Sequence, residues 1–204
     1  MLKRSVLCMI TALFLATNVF AVATGGTTNG VTDEVKKTVD EVVKIVSDKE
    51  MKKNDQKRRQ ALKKSISRIF DHSEMAKRSL GKHWNPLSAA ERKQFTELFA
   101  SLLENSYAGK IESYNNERIV YLKETIDSDH AEVKSKVVTT KRDEFTLDYR
   151  MINQNGKWMV YDVVIEGVSL VSNYRTQFNK IIAADGYPAL VKKLQTKSDE
   201  LKAP

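Results

Sequence analysis

An α+β fold, with helices segregated against one face of a curved, antiparallel four-stranded sheet, is what this sequence predicts. Three observations predict it. Apolar residues recur at helical spacing up to about Ile111, and from about Glu117 they alternate instead. Asn155-Gly156 stands between two alternating runs and is the pair a type I′ hairpin turn demands, so successive strands run antiparallel. Last, Val160 to Phe178 reads VYDVVIEGVSLVSNYRTQF, a strand apolar on both faces that turns at Gly167 into an amphipathic helix. Leu170, Val171, Tyr174, Phe178, Ile181 and Ile182 share one face of that helix and supply the cover such a strand needs.

The elements follow in order. Lys3 and Arg4 precede an uncharged apolar run from Val6 to Phe20, and Ala21-Val22-Ala23 has the small-x-small form of a signal-peptidase site. Residues 1–23 therefore read as a cleaved signal peptide, and 24–31 as a flexible Gly/Thr-rich leader. Thr32 can cap a helix with Asp33 and Glu34 in its first turn and Val35, Val39, Val42, Val43 and Val46 in one stripe. Asn54 or Asp55 starts a second helix with Leu62, Ile66, Ile69 and Phe70 facing inward; Ser73 starts a short third that Gly81 ends. Asn85-Pro86 breaks the chain, and Ser88-x-x-Glu91 is a capping box opening a long helix through Phe95, Leu98, Phe99, Leu102 and Leu103.

Four strands centred on Ile119–Lys123, Ala131–Val137, Phe145–Met151 and Trp158–Ile165 form a meander with short connections. After the Gly167 turn, Asp185-Gly186 ends one helix and Tyr187-Pro188 opens another carrying Leu190, Val191 and Leu194. Residues 32–197 read as one domain and 198–204 as a tail.

Composition bounds the chemistry. The formal charge is +8, which falls to +6 once Lys3 and Arg4 are removed, and this favours anionic partners. The densest basic run, Lys52-Lys53, Lys57-Arg58-Arg59 and Lys63-Lys64, reads either as a solvated helix face or as a docking or head-group surface. The one cysteine, Cys8, lies in the signal segment, too near Lys3 and Arg4 for a lipoprotein signal, so the mature chain has no thiol or disulfide. No other apolar run approaches a membrane span, and the expectation is a soluble periplasmic protein.

His72, His83 and His130 form no HExxH arrangement, and no GxSxG, Walker or GxGxxG motif occurs, so neither a metal nor a nucleotide cofactor is expected. The best enzyme-like set is Asp71 and His72 with Asp162 or Glu166, a carboxylate beside an imidazole. Its alternative is structural: Asp71 caps a helix and Asp162 satisfies a local donor. Nucleic acid would need aromatics interleaved with cations on a strand, and Tyr149-Arg150 and Tyr174-Arg175 are the sole candidates, with both tyrosines reading as inward-facing. No nucleic-acid partner is expected.

The Val160–Phe178 run, and the earlier run Phe70 to Trp84 (FDHSEMAKRSLGKHW), resemble the MlaC family of periplasmic phospholipid-binding proteins, also known as toluene-tolerance auxiliary transport proteins. The resemblance covers about Val31 to Leu194 in element order. It implies a non-enzymatic, monomeric carrier that holds phospholipid tails in an apolar pocket between sheet and helices, with phospholipid as cargo rather than cofactor. It further implies exchange with an outer-membrane lipoprotein complex and an inner-membrane MCE-ring ABC transporter. Under this reading Leu98, Leu102, Tyr107, Tyr149, Val164, Val168, Leu170, Val171, Tyr174 and Phe178, on the inward stripes flanking the sheet, line the pocket; the alternative for each is plain core, because periodicity fixes which face is buried and not whether the space beside it is empty. Arg175 is the head-group candidate, because guanidinium pairs well with phosphate, and its alternative is a surface salt bridge. The alternatives are a hopanoid or other polycyclic lipid as cargo, a lipid-processing enzyme, and a structural envelope adaptor.

Overall fold

The computed structural model describes residues 30–200, so the signal segment and nearly all of the leader lie outside the described residues. Helix α1 spans Val31–Ser47, already helical where the leader was expected to end, with Asp33 and Glu34 in its first turn. Its start is held from across the fold: Glu124 accepts the Thr32 amide at 2.7 Å and the Thr32 hydroxyl at 2.6 Å. That places a carboxylate at the positive end of the helix. A single turn, α2 (Lys49–Lys52), follows an Asp48 cap, and α3 (Asp55–Ile66) starts on Asn54, whose side chain accepts the Lys57 amide at 2.9 Å.

Helix α4 (His72–Leu80) begins one residue before the expected Ser73, because Asp71 is its cap and accepts the Glu74 amide at 2.9 Å. Gly81 closes it at φ 54°. The capping box Ser88/Glu91 opens α5 (Ala89–Glu112) as the sequence indicated.

The sheet is a meander of β1 (Arg118–Asp127), β2 (His130–Val138), β3 (Glu144–Gln154), β4 (Lys157–Ile165) and β5 (Val168–Ser169), all antiparallel and in that order. Asn155 and Gly156 both have positive φ, as a type I′ turn requires. Glu166 and Gly167 do too, so the chain does not pass straight from β4 into a helix. It makes a second tight hairpin, and this adds a short fifth strand to the four expected. Register shifts at Tyr121/Lys123 in β1 and at Arg150/Met151 between β3 and β4 bend the sheet. At the second, Ile69–Asp71 takes up the free edge of β4: the Asp71 amide donates to Val160 at 2.9 Å, and the Val160 amide to Ile69 at 2.7 Å.

Helices α6 (Leu170–Asp185) and α7 (Tyr187–Glu200) finish the chain. Helix α7 continues past residue 197, where the tail was expected, and the buried Ser198 shares a 3.1 Å hydrogen bond with Ser101 of α5.

Two apolar clusters result. One joins α4, α5, α6 and α7 around Met75, Leu80, Phe95, Phe99, Phe178 and Leu190. The other joins the sheet to α1 through Val31, Val35, Val133, Met151, Val160 and Val163.

Candidate functional site

A cavity of about 710 Å³ lies between the concave face of the sheet, α1, α3 and the second half of α5. Strand alternation fixes which sheet residues face it. Tyr149 pairs with Val163 and Leu147 with Ile165, so these four share the cavity face, together with Val160, Val137, Phe145 and Ile119. Helix α1 contributes its whole valine stripe, Val35, Val39, Val42, Val43 and Val46; α3 adds Leu62 and Ile66; α5 adds Leu103, Tyr107, Ala108 and Ile111. The inner wall is therefore hydrocarbon. Polar lining residues are concentrated toward solvent, where Arg59, Gln60, Lys63, Lys110 and Ser113 are exposed.

His72 is the one imidazole among the described lining residues. Burial holds the His72 imidazole below the ordinary histidine value, with the nearby Lys63 adding to it and Glu104 and Asp71 opposing it. Burial also raises the phenols of Tyr107 and Tyr149, and in the cluster joining the sheet to α1 it pushes Tyr121 up to about 12. The Tyr121 hydroxyl is buried with no hydrogen-bond partner among the described residues.

Of the residues expected to line the pocket, the structure brings Tyr107, Tyr149 and Leu170 to the cavity. The other seven lie elsewhere. Leu98, Val171 and Phe178 are buried in the α4–α7 cluster, with Leu102 and Tyr174 packed against it. That interior is filled by interlocking rings: Phe99 meets Tyr174 edge-on at 5.2 Å and Phe178 at 5.6 Å, and Phe95 meets Phe178 at 5.7 Å. Val164 pairs with Asp148 and points to the face opposite Tyr149 and Val163, and Val168 is 58% exposed on β5. Arg175 is not among the lining residues; it is exposed, lies beside Gly81 and donates to Ser172 at 3.3 Å.

An amphipathic stripe reports that a face is buried, not which neighbour covers it, and here α6 faces other helices rather than the hollow. The α1 valine stripe, by contrast, faces the hollow.

The enzyme-like set is dispersed. His72 lines the cavity, whereas Asp162 lies on the opposite face of β4, where Arg150 donates to it at 3.3 Å. Glu166 sits in the β4–β5 turn and accepts the Thr146 amide. Asp71 caps α4, the structural role its sequence position allowed. Among the described residues no group of three or more His, Cys, Asp or Glu is placed to hold a metal ion, and no helix is long and apolar enough to cross a membrane.

A curved antiparallel sheet with helices over one face and a hydrocarbon-lined hollow between them defines a binding domain for an apolar ligand. The chain belongs to the MlaC family, whose members are binding and transport proteins: residues 36–196 match the family described as MlaC protein. A phospholipid-binding protein from Ralstonia solanacearum, solved at 1.53 Å in complex with a phospholipid, superposes with a TM-score of 0.75 and 28% identity over 83% of this chain and 97% of that one. The intermembrane phospholipid transport system binding protein MlaC of Haemophilus influenzae is 28% identical over 126 residues. That match spans 59% of this chain and 59% of the relative's length.

Proposed function

We propose that this protein is a periplasmic carrier that holds the acyl chains of a phospholipid in the cavity and moves the lipid between membranes. One observation carries the reading: the concave face of the sheet is roofed by α1 and α3 at a distance, leaving about 710 Å³ lined by valine, isoleucine, leucine and aromatic side chains. A cavity of that size and apolarity is the kind that buries most of an apolar ligand. The Ralstonia relative of the same fold contains a phospholipid, which supports the same cargo here.

The physics asks for no more than enclosure. Two acyl tails hold about thirty methylenes, and exposing them would cost on the order of 20 kcal/mol at ~0.8 kcal/mol each. Flexible tails need volume rather than exact polar contacts, so a wall of valines serves. Release then depends on a receiving site of comparable affinity, and no bond need be made or broken. On this reading the exported chain exchanges lipid with an inner-membrane MCE-ring ABC transporter and an outer-membrane lipoprotein complex, as its family membership suggests.

The test is transfer between vesicles. Donor vesicles carrying a self-quenched fluorescent phospholipid are mixed with unlabelled acceptors, and the protein should speed dequenching in proportion to its concentration. A rate no faster than spontaneous exchange would count against the carrier role.

A further inference from the structure

Along one side of the cavity, α3 and the second half of α5 face each other without packing. Helix α3 packs on α1, and no comparable backbone packing joins it to α5. What joins them is a row of ion pairs with a fixed polarity, cations from α3 and carboxylates from α5. Arg59 meets Glu112 at 3.2 Å, Arg58 meets the same carboxylate at 3.5 Å, and Lys63 meets Glu104 at 3.0 Å. Arg59, Lys63 and Glu104 also line the cavity, so this seam is where the hydrocarbon wall gives way to charge.

Two further features leave donor capacity at the seam. The Arg58 guanidinium also pairs with Asp55 at 3.1 Å, and its buried Nε has no hydrogen-bond partner among the described residues. Lys110, on the α5 side of the lining, lies 5.5 Å from the Tyr107 ring and has no carboxylate partner among the described residues.

We infer that this seam receives the phosphate of the bound lipid: Arg59 and Lys63 leave Glu112 and Glu104 to pair with a phosphodiester, and Lys110 approaches it from the other side. The inference rests on the carrier reading and adds the group that reads the head of the lipid. Arg59 and Lys63 are the exposed members of these pairs and can swing without unpacking the wall, the guanidinium fork fits phosphate as well as it fits carboxylate, and the largely buried Glu112 keeps Arg58 at 3.5 Å when Arg59 leaves it. The exchange also explains how the seam can be closed in both states, by carboxylates when empty and by phosphate when loaded. The basic run on α3 is thus divided: Arg59 and Lys63 belong to the site, whereas Lys57 and Lys64 are exposed and outside the lining.

The experiment separates head from tails. Protein is incubated with vesicles holding equal parts of a phosphatidylglycerol and a diacylglycerol with identical tails, and bound species are counted by native mass spectrometry. Wild type should select the phospholipid. Arg59→Glu/Lys63→Glu should lower the phospholipid-to-diacylglycerol ratio roughly tenfold or more, with total occupancy kept by diacylglycerol. Lys57→Glu/Lys64→Glu should leave the ratio unchanged. Should the charge reversal fail to fold, Arg59→Gln/Lys63→Gln asks the same question without repulsion.

An unaltered ratio in a folded variant overturns the inference, as does equal loss of both lipids, which would make these residues part of the wall alone. Competition by millimolar inorganic phosphate would overturn it as well, by showing a site for the free anion. Wild type that binds neither lipid refutes the carrier reading itself, a result distinct from all of these.

Discussion

The carboxylate of Asp162 accepts the backbone amide of Val171 at 3.0 Å, which ties the end of β4 to the first turn of α6. The same carboxylate accepts the Ser169 hydroxyl at 2.6 Å and pairs with Arg150 at 3.3 Å, while remaining 3% exposed. An acid that looked available for catalysis is a structural fastener. Asp162→Ala should therefore lower the unfolding free energy by roughly 1.5–3 kcal/mol, because it strands an amide and a guanidinium. Asp162→Asn, whose amide oxygen still accepts, should cost less. Urea midpoints check this, and an unchanged midpoint for the alanine variant would contradict the role.

Cavity and core make opposite predictions for the same substitution. Val43→Trp places an indole in the hollow and should reduce the lipid carried per molecule while changing stability by less than about 0.5–1 kcal/mol. Val171→Trp forces an indole into the filled cluster beside Phe178 and should cost about 1–3 kcal/mol while the folded fraction carries lipid normally. Lipid content and melting temperature on one sample distinguish the two, and the reverse pattern would mean that hollow and core had been exchanged.

How much was legible follows from what each signal encodes. Caps and turns are local chemistry: Ser88/Glu91, Asn54, Asn155-Gly156 and the Gly81 terminus fall where the residues place them, whereas Thr32, expected as a cap, lies inside α1, whose cap is Gly30. Strand faces were legible only to within one residue. The type I′ turn at Glu166-Gly167 and the shift at Arg150/Met151 set the register, so that Val163 faces the cavity and Val164 does not. Empty space was the least legible, because a side chain beside a void and one beside a neighbour obey the same periodicity. Thus Tyr174 and Val171, expected to line the pocket, lie in the α4–α7 cluster, and the half-buried Val39, Val42 and Val43, which the sequence marks only as a stripe, lie along the cavity.

His72 supplies a pH dependence whose sign is fixed. Burial holds its folded value below the ordinary 6.5, so on acidification the unfolded chain takes up the proton first. Stability should be insensitive to this group above about pH 7, fall as the pH drops below 6.5, and level off below the folded value. The carboxylate of Glu41, lowered by hydrogen bonds from Arg68 and Ser65, adds its own loss only near and below its ordinary 4.5. Melting temperatures between pH 8 and 5 should decline more steeply for wild type than for His72→Gln, and equal slopes would contradict this assignment.

A carrier of this kind keeps its hollow filled with hydrocarbon. The direct measurement is an organic extract of protein purified without added lipid, analysed by mass spectrometry against the quantified chain. Phospholipid in an amount close to one molecule per chain is the expected result. A folded, monodisperse sample whose extract holds no lipid, and which takes none up from vesicles, would contradict the claim.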